Sequence, residues 1–157
     1  MQKRKLERIE VYCDGLCEPN PKGIATYGYT IFQNGKEIKC GCDWLGEGDG
    51  MTNNVAEYTA VIEALSWLKK RDLDKKATKV IVKSDSQLLI NQLKGNWRVL
   101  SERLLPLFKK AKCLSSLFNI EYRWIPREKN KKADMLSRVA YGCYLKEKEK
   151  NSPRAIR

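Results

Sequence analysis

The chain contains no histidine. That absence removes every mechanism with an imidazole base or an imidazole metal ligand, the Ser-His-Asp triad among them. Acid is scarce beside base: Lys and Arg number 31 against 19 Asp and Glu, a formal charge of +12 at pH 7. The surplus disfavours small cationic substrates and favours a polyanion, with nucleic acid first, an anionic membrane surface second and a merely solubilising charge as the plain alternative. Long apolar runs are missing. Charges interrupt them well before the roughly 18 residues that a membrane-crossing helix needs. The basic start, Met1 to Glu7, leads into an alternating pattern without a small-residue cleavage site, so no secretory leader is expected and the expected location is cytoplasmic. Cysteine is too sparse and irregular for a disulfide framework: Cys13, Cys17, Cys40, Cys42, Cys113 and Cys143. The pairs Cys13/Cys17 and Cys40/Cys42 lack the usual two-residue gaps of zinc sites. Buried free thiols are expected instead, with one disulfide as the alternative in a hyperthermophilic source.

What is present is one domain. A chain of 157 residues can bury roughly 70% of its unfolded surface, and 42% hydrophobic with 32% charged residues is a globular composition. Residues 8–14 alternate, with Ile9, Val11 and Cys13 on one face and Glu10, Tyr12 and Asp14 on the other. The breaker-rich segment 15–23 reads as a turn. A strand follows over 25–33, with Gly28 a point of close backbone approach. Asn34-Gly35 predicts a hairpin into a strand over 36–42, and 43–51 reads as loop. Thr52 caps a helix running to about Lys70, with stripes at Tyr58, Ile62, Leu65 and at Val61, Ala64, Leu68. A β-branched strand over 79–84 precedes an Asp85-Ser86 cap and a helix that Gly95 ends. Residues 101–118 are helical, 119–125 a strand, 126–129 a loop, and Asn130 caps a last helix over 131–146. The domain spans 1–146, and 147–157 is a basic, flexible tail. This order predicts an α/β protein with a mixed sheet and packed helices.

Four carboxylates stand in unusual places. Asp14 and Asp85 lie at strand ends, where ligand sites of α/β sheets gather. Glu57 shares the apolar stripe of Val61, Ala64 and Leu68, a costly place for a charge unless something positive compensates it. Asp134 sits in a first helical turn, where the dipole alone favours an acid. Singly each has an ordinary reading as a cap or a turn residue. Jointly, two strand ends and two helix starts each present one acid, and no Lys or Arg is placed to neutralise all four. Converging anions of this kind require divalent metal, and all-oxygen ligation suits Mg²⁺ or Mn²⁺.

The stretches Tyr12-Cys13-Asp14-Gly15, Thr52-Asn53-Asn54-Val55-Ala56-Glu57, Ser84-Asp85-Ser86-Gln87 and Asn130-Lys131-Lys132-Ala133-Asp134 resemble, in this order and spacing, type 1 ribonuclease H over roughly residues 8–145. The Trp-Ile-Pro-Arg run before the last motif is similar to the archaeal and reverse-transcriptase-linked branches. The resemblance implies an RNase H-like fold, a five-stranded mixed sheet flanked by helices on both faces, with residues 1–146 as the catalytic domain. It implies that Asp14, Glu57, Asp85 and Asp134 hold two Mg²⁺ ions, Mn²⁺ substituting. It also implies that the RNA strand of an RNA/DNA hybrid is cut to 5′-phosphate and 3′-hydroxyl ends. Asn20, Asn53 and Gln87 match positions that touch the minor groove and its 2′-hydroxyls, for which amides are suited. Thr52 matches the pocket for a DNA phosphate.

Departures from the family pattern have consequences. Bacterial members carry a histidine before the last acid; here the shorter loop offers Arg127, a candidate for the scissile phosphate or the product. The basic helical handle of many members is absent, leaving Lys94, Arg98 and Arg103 near Trp97, and the basic chain ends, as sources of affinity. Val55 replaces a common arginine of the DNA-phosphate pocket, which makes double-stranded RNA a second candidate substrate. Trp44, Trp67 and Trp124 read as packing residues more than base platforms. A monomer without an obligate protein partner or a membrane is expected. The rivals are an integrase or transposase core, whose Glu comes last in the acid order, and a non-catalytic hybrid-binding module, which gains nothing from four buried acids.

Overall fold

Alternation of Ile9, Val11 and Cys13 with Glu10, Tyr12 and Asp14 builds the central strand β1 (Arg8–Glu18) of the computed structural model, which describes residues 7–151. The three apolar side chains are fully buried. β2 (Ile24–Gln33) pairs antiparallel with β1 on one side, and β4 (Lys79–Ser84) pairs parallel with it on the other. β3 (Lys36–Glu47) follows β2 as a hairpin, and β5 (Asn119–Trp124) lies parallel to β4. The order β3-β2-β1-β4-β5 is the expected five-stranded mixed sheet. Asn34 and Gly35 both take positive φ, 51° and 84°, as a two-residue hairpin turn demands.

Helix α1 (Asn53–Lys69) packs on the face of Ile9, Val11 and Cys13, with α2 (Gln87–Lys94) and α3 (Leu104–Ser115) beside it. Both predicted stripes of α1 are buried, because the sheet covers one side and α3 another. Helix α4 (Lys131–Lys150) takes the opposite face. There the Thr26 hydroxyl donates to the Ser137 carbonyl at 2.8 Å. A Cβ at Gly28 would lie 2.6 Å from the Ala133 oxygen and 2.7 Å from the Ser137 nitrogen. The close approach expected at Gly28 is therefore the seat of α4.

Several boundaries differ from the sequence reading. β1 continues through Gly15 to Glu18, and β3 continues to Glu47, where turn and loop were expected. Pairing decides this against local composition: Leu16 faces Thr26, Glu18 faces Ile24, and Ile24 faces Glu47. α3 starts at Leu104, whose N–H donates to Ser101 Oγ, and Pro106 falls in its first turn, where no intrahelical donor is lost. Arg127–Lys129 forms a 3-10 turn. α4 runs on to Lys150, so residues 147–150 are helix rather than tail. Its last turns are tied to β3 by Tyr144 and Lys148, which both donate to Glu47, and by Trp44 stacked on Tyr144 at 4.9 Å. Residues 152–157 and the basic start before Glu7 lie outside the described residues. All six cysteines are free, but only Cys13 and Cys17 are buried; Cys40, Cys113 and Cys143 are exposed and Cys42 is half-buried, Cys40 and Cys42 because they lie on an edge strand. No described helix is long and apolar enough to cross a membrane.

Candidate active site

Gly15 brings the first two acids together. A Cβ there would lie 2.4 Å from the Glu57 nitrogen and 2.5 Å from the Ala56 carbonyl carbon, so only glycine lets the start of α1 press against β1. Glu57 then reaches Asp14, which lies inside β1 rather than at its end, because pairing with β2 carries the strand on to Glu18, and just past the last residue that pairs with β4. Asp85 follows β4, the parallel neighbour of β1. Ser86, not Asp85, caps α2 through its hydroxyl, which leaves the Asp85 carboxylate free for other work. One carboxylate oxygen from each of Asp14, Glu57 and Asp85 lies within 4.8 Å of the other two.

Asp134 lines the same cavity, about 230 Å³, together with Asn53, Arg127 and Arg138. Arg138, one turn further along α4, donates from Nε to Asp134 Oδ1 at 3.2 Å. The four acids expected to converge thus form a tight cluster of three and a fourth at the cavity wall, paired with a cation.

Burial, and after it the Asp85 and Asp134 carboxylates, lifts Asp14 from 3.8 to about 7. Burial, then Asp14 and Asp85, pushes Glu57 well above the ordinary carboxylate range, against a hydrogen bond from the Gly15 backbone. The Cys13 thiol is raised well above its usual value, by burial first and by Glu57 and Asp14 after it. Glu57 Oε2 is buried and has no partner among the described residues. An orphaned carboxylate oxygen inside an all-oxygen cluster of like charge fits a hard divalent cation such as magnesium, which Asp14, Glu57 and Asp85 would hold.

The amides expected to touch substrate also serve the fold. The Cys17 N–H donates to Asn53 Oδ1 at 2.7 Å, and the Asn53 N–H donates to Asn20 Oδ1 at 3.0 Å. These bonds lock the turn after β1 onto the start of α1. Thr52 caps α1 as expected, accepting from the Val55 N–H at 3.1 Å. Gln87 is exposed as the first residue of α2, outside the lining of the acid cavity. Arg127 is exposed at the cavity rim. Val55 is buried in the core. The connection between α2 and α3 has no helix, and Lys94, Trp97, Arg98 and Arg103 are exposed on or beside it. Gln92 pins that connection, donating to the Arg98 carbonyl and accepting from the Tyr58 hydroxyl. Trp124 donates to the Asp85 carbonyl at 3.1 Å, and Trp67 carries Arg71 over its ring.

Two residues at the site were missed. Arg138 was legible, since a basic residue four positions after an acid on a helix pairs with it. Asn130 is the N-cap residue of α4 as expected, its carbonyl accepting from the Asp134 N–H, but its side chain makes no cap bond. Its Nδ2 donates to the Cys13 carbonyl on β1 at 2.8 Å and to Asp85 Oδ1, just after β4, at 3.1 Å, both far away in the chain.

A family described as reverse transcriptase-like matches residues 3–140. Over 134 residues the chain is 34% identical to a bifunctional protein of Mycobacterium tuberculosis, covering 85% of this chain and 35% of that protein. The chain thus spans about a third (35%) of the length of the mycobacterial relatives that it matches. A ribonuclease H of Ehrlichia canis is 32% identical over 145 residues, 87% of this chain and 96% of its own length. Among solved structures, LC11-RNase H1 in complex with an RNA/DNA hybrid superposes with a TM-score of 0.76 at 33% identity, covering 87% of this chain and 99% of that one.

Proposed function

The chain belongs to the ribonuclease H family, type 1, and on that premise we propose that it is a metal-dependent endonuclease cutting the RNA strand of RNA/DNA hybrids. The observation that carries this reading is the Asp14-Glu57-Asp85 cluster with its orphaned Glu57 oxygen. When bound, two magnesium ions, or manganese in their place, supply Lewis-acid activation of the attacking water and stabilise the leaving 3′-oxygen. Asp14, Glu57 and Asp85 hold the ions, with Asp134 completing the set from the cavity wall. Arg127 at the rim offers a bidentate donor to the scissile phosphate or to the released 5′-phosphate. Asn20 and Asn53 spend their oxygens on the fold, so their NH₂ groups are what they offer to 2′-hydroxyls and base edges of the minor groove. Gln87 adds a further exposed amide, and Thr52 a hydroxyl for the DNA strand. The +12 charge supplies docking to the phosphates.

The same reading assigns catalysis to residues 1–146 of a monomer, 147–157 serving as a basic extension, and a cytoplasmic location where hybrids form. Double-stranded RNA is a secondary substrate, since the buried Val55 puts no cation at the DNA strand. One gel tests the activity and the substrate choice: labelled hybrid, duplex RNA and duplex DNA, each with and without Mg²⁺. The hybrid should be cut only with metal, leaving 5′-phosphates. Asp85→Asn should lose cleavage while still binding hybrid and keeping its fold. Turnover near wild type in that variant refutes the assignment, and joining of DNA ends would favour a strand transferase.

A further inference from the structure

We propose that Asn130 is a positioning residue of the metal site, holding the Asp85 carboxylate in its binding orientation and coupling it to the helix that carries Asp134. The proposal rests on the metal-dependent reading above. Asn130 is 1% exposed. Its amide hydrogens go to two acceptors, the Cys13 carbonyl at 2.8 Å and Asp85 Oδ1 at 3.1 Å. A flipped amide would aim its oxygen at both of these oxygens, so the orientation is dictated by the neighbours. The donated bond occupies one Asp85 oxygen and fixes the rotation of the carboxylate about its own axis. The Asn130 carbonyl in turn accepts from the Asp134 N–H at 3.1 Å, in the first turn of α4. One residue therefore touches Asp85 with its side chain, Asp134 with its backbone, and β1 one position before Asp14. Helix α4 forgoes a side-chain cap in this arrangement. Asn130 Oδ1 is itself buried with no partner among the described residues.

Partners that orient metal-binding carboxylates typically change metal affinity by about 10–100-fold when removed. The test is titration calorimetry of Mn²⁺ into the whole protein without nucleic acid, for wild type, Asn130→Ala and the near-isosteric Asn130→Leu. Circular dichroism and melting confirm that each variant is folded. Both variants should bind Mn²⁺ at least about tenfold more weakly, because neither can donate to Asp85. Hybrid cleavage should then lose kcat with KM for the hybrid unchanged, and raised Mn²⁺ should partly restore it. Mn²⁺ affinity within twofold of wild type in a folded variant overturns the proposal. Should neither variant fold, the wild-type protein still decides. On Mg²⁺ titration the Asn130 side-chain amide signals must shift in nitrogen-resolved NMR, and their standing still at saturation overturns it equally. Wild type that binds no Mn²⁺ at all fails the metal reading itself, which is a different result.

Discussion

Asp14 is held at a pKa of about 7 by burial and by Asp85 and Asp134, against 3.8 for an ordinary aspartate. A carboxyl that keeps its proton longer in the fold than in the unfolded chain stabilises the fold below the unfolded value. That contribution is lost as pH rises through about 7, at about 1.4 kcal/mol per unit of difference. Glu57 acts in the same direction. Glu10 and Glu121, lowered by Lys83 and Arg123 among others, act oppositely but only below their ordinary 4.5. In chelator, the melting temperature should therefore fall between about pH 5 and about pH 8, and added Mg²⁺ should raise it most at the higher pH. Cleavage should run the other way, declining as pH drops below about 7, because the ligands must be ionised. A melting temperature that climbs over that range without metal contradicts the cluster's charge. Arg138 gives a second prediction. Its pair with Asp134 is exposed, so Arg138→Ala should change stability by less than about 1 kcal/mol. The same change releases Asp134 toward the cluster and should tighten Mn²⁺ binding several-fold in calorimetry, whereas weaker binding would mean that the arginine organises the acid instead of restraining it. At this scale much was legible. A carboxylate on an apolar stripe marked Glu57 without any fold in hand. Asn130 takes the cap position that its sequence predicts, but the role of its side chain is hidden there, because the acceptors it takes instead of a local cap bond lie 117 and 45 residues away.

Two glycines decide how the elements meet. Gly15 admits α1 to β1, and Gly28 seats α4 on β2. Gly28→Ala would push a methyl into the α4 backbone, where no flexible side chain can yield. It should cost about 1–3 kcal/mol in urea unfolding and weaken Mg²⁺ binding, since Asp134 and Asn130 ride on that helix. Unaltered stability in this variant would show that α4 is loosely seated. The hydrophobic periods and cap residues placed nearly every element correctly. The errors fell at ends such as 15–18 and 43–47, where cross-strand pairing holds a Gly-rich chain extended, and at 147–150, where Glu47 and Trp44 extend a helix that is polar and has no apolar stripe there. Such contacts are invisible to local composition.

On the scale of the whole molecule, four acids share one small cavity with Arg127 and Arg138, in a chain whose formal charge is +12. Hybrid binding should accordingly weaken steeply with salt in a log–log plot, one counterion for each phosphate engaged. A flat profile would mean that the +12 charge takes no part in docking. The two-sided layering also orders how the acid cluster comes together. Three acids are present once β4 and the residue after it have been made, but Asn130 and Asp134 arrive only on the last helix, packed against the far face of a sheet that must already exist. A chain halted at β5 carries Asp14, Glu57 and Asp85 but lacks Asn130 and Asp134, so on the proposed reading it should cut RNA only once α4 has docked.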